Sequence, residues 1–430
     1  MANGTAILIP RRKASWLVGI VAALLLLAQV TEATIRFEAA GLDIPGLPAD
    51  LSPMCWTTAD MEGRGSKDLI VGGLSSGSEV VFMIRNNRGS LAAEMLMQRR
   101  LKPEEPSGSI SSGMRTLSHC DLYRDGREEV FVIGSEPDEH TMLRWNHGVV
   151  EQAPLPFPKL AWPVVAWLDY DGDGWVDLFL AGSERVDGQL RRVPGRLYRN
   201  REGRLEPTEV TFPSGPPGDS AYVMDFNEDG RPGLFLGSEA GFKGENMMYL
   251  NSAHGFERLE FPGNTLVGLA DASVALARFR PGGPLDVLVC GTWEPQLWAG
   301  AALTVVYKVE VWPKRMWLGY DRERMNELPD MLGEVVASDL DGDGYTDLLM
   351  IGRERHSTAP KEIMVFQNTN GSLRQLRGGP WERGSGRPLG AYQILDVIPF
   401  DIDGDGKLDL LCFPRPGKPV LLRNVSAPGK

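Results

Sequence analysis

A run of closely spaced aspartates that opens directly into a short apolar strand recurs along this chain, and no other feature restricts its fold as strongly. The fullest copies are Asp169-Tyr-Asp171-Gly-Asp173-Gly174-Trp175-Val-Asp177, Asp339-Leu-Asp341-Gly-Asp343-Gly344-Tyr345-Thr-Asp347 and Asp401-Ile-Asp403-Gly-Asp405-Gly406-Lys407-Leu-Asp409. Aligning on them finds further copies starting at Asp60, Asp121, Asp225 and Arg278, which makes seven units. Self-similarity at so long a period predicts a repeat architecture, and each unit has the length of one four-stranded propeller blade.

A second hairpin signature lies downstream in several units. Leu197-Tyr-Arg-Asn200-Arg-Glu-Gly203, Met248-Tyr-Leu-Asn251-Ser-Ala-His-Gly255 and Val365-Phe-Gln-Asn368-Thr-Asn-Gly371 each read as a strand ending in an Asn/Gly turn. A unit is thus strand, acid loop, strand, connection, strand, turn, strand. Helical periodicity is scarce, so the fold class is all-β: a seven-bladed β-propeller of four-stranded antiparallel blades. The seventh unit stops at Val420–Asn424, before its outer strand, and Thr34–Pro45 resembles the outer strand missing there. The N-terminal strand is therefore expected to close the last blade, removing the open edge that a linear stack would leave.

In the three full loops, oxygens arrive at positions 1, 3, 5 and 9, with a backbone carbonyl offered at position 7 by Trp175, Tyr345 and Lys407. Such a set suits a hard cation, and Ca²⁺ over the smaller Mg²⁺. An EF-hand is excluded because position 12 is Leu180, Met350 and Cys412 where that loop needs Glu. Completeness ranks the loops. Those at 169, 339 and 401 are expected to hold Ca²⁺, and the loop with Asp225, Asn227 and Asp229 lacks a side chain at Gly233 and is expected to bind more weakly. The loops at 60, 121 and 278, with Arg64, Tyr123 and two arginines in ligand positions, are expected to be turns without metal.

These loops resemble the FG-GAP, or VCBS, repeat, known from the seven-bladed propeller of integrin α-subunits. The resemblance runs over essentially all of 34–430 and is sharpest in the third, sixth and seventh loops. It implies calcium in the blade hairpins and an extracellular adhesion or ligand-binding role. The chain departs from integrins in having no leg domains or later membrane helix, so receptor signalling does not carry over.

A formal net charge of −12 over 430 residues argues against nucleic acid and anionic membranes as partners. Arg11-Arg12-Lys13, the apolar run Trp16–Ala28 and Thr31-Glu-Ala33 read as a secretory signal over 1–33, with an uncleaved membrane anchor as the alternative. Residues 34–430 then form one propeller domain in a secreted or surface protein. Cys55, Cys120, Cys290 and Cys412 leave disulfides and buried thiols both open, and Asn370 and Asn424 head glycosylation sequons.

Because strands alternate in direction, the acid loops share one face and the connections between second and third strands share the other. Candidate ligand residues on that second face are Arg185, Arg191, Arg192, Trp293, Trp298, Arg355 and Trp381. The five histidines are dispersed, no nucleophile motif is present, and the paired carboxylates are committed to the loops, so an enzyme is not expected. The leading expectation is a calcium-binding propeller that binds an extracellular protein or glycan. A polysaccharide-acting enzyme or accessory domain and a purely structural scaffold are the rivals.

Overall fold

The computed structural model describes residues 34–87, 89–101, 113–212, 220–237, 246–259, 269–280, 282–283, 285–293, 301–312, 315–320, 322–354, 361–382, 393–415 and 417–426. The expected signal segment 1–33, Trp298 and Arg355 lie outside the described residues. Strands pair into seven antiparallel sheets of four strands each, the blades of a propeller ring. Blade one is Ser52–Ala59, Asp68–Ser75, Ser78–Asn87 and Ser90–Arg100, from the channel outwards. Blades two to six follow over 114–153, 161–212, 221–258, 269–320 and 331–375.

The last blade takes three strands from the C-terminal end, Gln393–Phe400, Asp409–Arg415 and Val420–Asn424, and its outer strand, Phe37–Gly41, from the N-terminal end. The clasp pairs Phe37 with Asn424 and Gly41 with Val420. It extends through Val425 N–H donating to the Arg36 carbonyl (2.8 Å) and Arg36 N–H donating to Ser426 Oγ (2.8 Å). Closure of the ring by the N-terminal strand is as the sequence predicts. Phe37 is buried and meets Trp381 edge-on, with ring centroids 5.7 Å apart. Trp381 therefore belongs to the core between the last two blades, which corrects its assignment as a ligand residue on the surface.

Second strands read as unbroken apolar runs because both of their faces pack against neighbouring blades. Asp177–Val186 buries its first seven residues, whereas the outer strand Arg204–Phe212 exposes alternate ones, as a sheet half open to water does. A further wedge sits at loop position 2. Met61, Leu122, Phe226, Phe279, Leu340 and Ile402 are all at most 1% exposed there, filling the seams between blades.

Two expected connections turn out to be strand. Residues 183–196 continue the second and third strands of blade three, Asp177–Val186 and Gln189–Arg201, around a tight turn at Asp187-Gly188. Both turn residues have positive φ, 52° and 78°, as a type I′ hairpin requires. Trp293 likewise ends the strand Asp286–Trp293 instead of lying in a connection. All four cysteines are unpaired, with Cys120, Cys290 and Cys412 buried, and burial pushes the Cys55 and Cys290 thiols up to about 12. Asn370 is exposed at a turn, but Asn424 is 2% exposed, so the folded chain offers only the first of these two sequons.

Blades two and three are joined through a buried histidine. His140 Nδ1 accepts from Gly134 N–H (3.1 Å), so Nε2 carries the proton and donates to the Leu160 carbonyl (2.7 Å). Burial holds this imidazole below its ordinary pKa, the Leu160 carbonyl and Glu139 acting against the shift and Lys159 and Arg99 with it. A histidine protonated more readily when unfolded supports stability in full above about pH 6.5 and loses that support as pH falls further. The gap in melting temperature between the native chain and His140→Gln, measured across that range, is expected to narrow on acidification; a gap independent of pH would contradict this junction. Phe37→Ala is expected to cost about 3–5 kcal/mol in denaturant unfolding, through lost burial at the clasp.

Candidate metal centres

Each acid loop is first a self-bonded turn. In blade three, Asp169 Oδ1 accepts from the N–H groups of Gly172 (2.8 Å) and Asp173 (3.1 Å), and Oδ2 from Gly174 N–H (2.9 Å). The loops beginning at Asp339 and Asp401 repeat these bonds at 2.7 to 3.2 Å. At position 5, Asp173, Asp343 and Asp405 accept from the N–H of Trp175 (2.9 Å), Tyr345 (2.8 Å) and Lys407 (2.9 Å). Glycine at position 6 is required, since Gly174, Gly344 and Gly406 have φ of 83°, 89° and 86°.

This turn folds three carboxylates together in each full loop: Asp169, Asp171 and Asp177; Asp339, Asp341 and Asp347; Asp401, Asp403 and Asp409. One oxygen from every member lies within 4.8 Å of the others. Positions 1, 3 and 9 thus form the centres, while Asp173, Asp343 and Asp405 stand outside these groupings and close the turn.

Position 9 is the buried member. Asp177, Asp347 and Asp409 are at most 1% exposed. Burial pushes Asp177 and Asp347 up to about 7 and Asp409 to about 6, with the N–H bonds they accept pulling the other way. One of these bonds comes from position 2 of the loop: Tyr170, Leu340 and Ile402 donate at 3.2, 2.8 and 3.1 Å. The other comes from the third strand: Asn200, Asn368 and Asn424 donate N–H at 2.7 Å in all three blades.

Sequence reasoning read Asn200 and Asn368 only as turn formers, and Asn424 only as a strand end and a sequon. Asn200 Nδ2 donates to the Leu122 carbonyl of the preceding blade (2.9 Å) and to the Val176 carbonyl of its own loop (3.0 Å), while its Oδ1 accepts from Gly203 N–H (2.8 Å). Asn368 bonds Phe279, Thr346 and Gly371 in the same way, and Asn424 and Asn251 reach back to Leu340 and Tyr170 at 2.8 Å. In these four blades the acceptor is loop position 2 of the preceding blade, whereas Asn86 of blade one reaches the Asp401 carbonyl at position 1 (3.5 Å). The available signal was the asparagine three residues before a glycine, in Asn200-Arg-Glu-Gly203 and Asn368-Thr-Asn-Gly371.

The donor sets of the full loops fit a hard divalent cation. A physical mark of the fit is an orphaned oxygen at position 3: Asp403 Oδ1 and Asn227 Oδ1 are buried without a hydrogen-bond partner, a costly state that a cation relieves. In the loop at 225, Asp225 closes the same turn on Asp229 N–H (3.2 Å) and Gly230 N–H (2.8 Å), and Asn227 Nδ2 donates to Asp229 Oδ2 (3.0 Å). The loop at 60 carries its own positive charge. Arg64 bonds Asp68, and its Nε lies 2.8 Å from Glu62 Oε2.

Elsewhere on the first two blades, Thr57 Oγ1 and His119 Nδ1 are 2.7 Å apart, and Lys67 lies 3.2 Å from His119 Nε2 and 3.0 Å from Glu128. Glu128 accepts from Asp60 N–H (2.7 Å) and gives its own N–H to the Asp60 carbonyl (3.0 Å), so this group fastens a seam at which no asparagine latch is seen among the described residues.

On the opposite face, Arg185 grips Glu136 of blade two with two bonds (2.9 and 2.5 Å), Arg191 is exposed and Arg192 is half-buried. The inner strands of blades two and three bring Arg115 over the Trp162 ring at 4.3 Å, and Trp162 has φ of 51°, a strained value for so bulky a side chain. The side chain of Trp293 is not described.

This fold and these loops define a β-propeller whose blade hairpins carry repeated acidic loops. The family model described as the FG-GAP-like repeat matches residues 169–236 and 339–412, so the chain carries FG-GAP-like repeats on a seven-bladed ring. No curated protein matches it. Among solved structures, it is similar to the exotype rhamnogalacturonan lyase YesX (14% identity, 92% of this chain and 76% of that one, TM-score 0.48). It is also similar to rhamnogalacturonan lyase PL11 of Bacillus licheniformis (12%, 90% and 75%, 0.44). A functionally unknown protein from Desulfotomaculum acetoxidans gives 12% identity over 81% of this chain and 94% of that one, with a TM-score of 0.41. Among the described residues, no helix is long and apolar enough to cross a membrane.

Removing Asn368's side chain leaves the Phe279 and Thr346 carbonyls and the Gly371 N–H short of a partner, while its backbone bond to Asp347 remains. Asn368→Ala is expected to cost about 1–3 kcal/mol in unfolding experiments, more than the same change at the exposed Asn370.

Proposed function

We propose that this protein is a secreted or surface-held propeller whose acid-loop face binds calcium to fasten the ring and whose opposite face binds a protein or glycan. The observation that carries this reading is the division of labour between the two faces. The carboxylates and their asparagine partners are spent on joining blades. The other face presents the projecting hairpin of blade three, with Arg185, Arg191 and Arg192, and the Arg115–Trp162 pair. An arginine-bearing face on an acidic chain suits ligands that carry carboxylates or other anionic groups. Calcium fits the donor sets through hard oxygens and orphaned position-3 atoms.

Two experiments test the two halves. Calcium is expected to raise the melting temperature, a chelator to lower it, and Asp341→Ala to reduce bound calcium by about one of the three centres. No melting shift and no metal by elemental analysis would remove the calcium half. For the ligand half, a glycan array and capture of surface proteins are expected to give a binder that Arg191→Glu with Arg192→Glu weakens about tenfold. Turnover of an anionic polysaccharide by the purified chain would replace binding by catalysis.

A further inference from the structure

The three centres differ at one position that the loop sequences do not show, the residue just before the latch asparagine on the third strand. It is Arg199 in blade three, Gln367 in blade six and Arg423 in blade seven. In every case it reaches position 3 of the loop. Arg199 Nη2 lies 3.0 Å from Asp171 Oδ2 and 2.8 Å from Asp173 Oδ2. Gln367 Nε2 donates to Asp341 Oδ2 at 2.7 Å. Arg423 Nε stands further off, 3.5 Å from Asp403 Oδ2. Blade three has a second arginine nearby, Arg124, stacked over the Trp175 ring at 5.8 Å.

A guanidinium and a metal ion make opposite use of these oxygens. The guanidinium already neutralises part of the site and occupies position-3 lone pairs. If it swings aside it stays within a few ångströms, where like charges repel. A neutral amide orients the same carboxylate without adding charge. From this geometry we infer that the residue preceding the latch asparagine sets the cation affinity of each centre. The centre at 339 is the tight one, that at 169 the weak one, and that at 401 lies between. The inference rests on the calcium reading above and adds a graded response to it: the ring takes up its cations in a fixed order as calcium rises.

Terbium, a luminescent substitute for calcium, resolves the centres, because position 7 is Trp175 in one loop, Tyr345 in the second and the non-aromatic Lys407 in the third. Emission excited through tryptophan, and lost in Trp175→Phe, reports the centre at 169. In that variant, the tyrosine-excited emission that Tyr345→Phe removes reports the centre at 339, which separates it from any contribution of Tyr170 in the loop at 169. The tyrosine-sensitised titration is expected to saturate at about tenfold lower terbium than the tryptophan-sensitised one. Arg199→Gln is expected to close most of that gap, and Gln367→Arg to weaken the centre at 339 by a similar factor, with competing calcium giving the same order. Coincident midpoints, or midpoints that neither substitution moves, would overturn the graded order while leaving calcium binding intact. No terbium or calcium binding at any loop would overturn both.

Discussion

The joints of blades three, six and seven depend on the bond between a buried carboxylate at loop position 9 and the backbone N–H of an asparagine on the neighbouring third strand of the same blade. Asp177, Asp347 and Asp409 each accept that N–H at 2.7 Å. The bond fixes the asparagine so that its amide faces the preceding blade, where it captures the position-2 carbonyl. One short motif thereby sets the turn, the third strand and the seam. In the three centres the apolar position-2 side chain, or Tyr170 in blade three, lies beside the same seam. Packing and hydrogen bonding thus act on the same few residues.

A buried carboxylate is stabilising only when its charge is answered. The loops answer it in different ways. Those at 169, 339 and 401 gather three carboxylates that suit a divalent cation. The loop at 60 brings in the Arg64 guanidinium. The loop at 278 has shed most of its acids and uses Arg278 to tie Gly283 and Glu228. The loops at 60 and 121, which lack the full ligand set, close the same hydrogen-bonded turn on position 1, so the turn does not need the full set of carboxylates. On the reading proposed above, a cation would act electrostatically, neutralising a site that the fold has already shaped.

The other face is the one to which the proposed recognition is assigned. The hairpin over 183–192 stands beyond the partner strands on either side, and residues 184 to 190 are exposed on both of its faces. Its anchor to the ring is the Arg185–Glu136 pair, which leaves Arg191 to solvent. At the channel mouth, a tryptophan held at positive φ under an arginine is the kind of stored strain that surrounding structure must sustain.

The sequence by itself determined the seven units, the all-β class, the closing N-terminal strand and which three loops gather their carboxylates. These are local or periodic: an Asp-x-Asp-Gly-Asp-Gly loop declares its own turn, and the apolar run after it declares a strand buried on both faces. Only the tertiary structure decided what depends on neighbours brought in from another blade. It placed Trp381 in the core against Phe37, because the N-terminal strand arrives there from the far end of the chain. It made strands of 183–196, since two polar, exposed segments pair around Asp187-Gly188 without any apolar alternation to announce them. It turned Asn200 and Asn368 from turn residues, and Asn424 from a strand end and sequon, into latches, and it set Arg199, Gln367 and Arg423 against their aspartates. A sequence read along one dimension carries the spacing within a unit, and the contacts between units appear only once the ring closes.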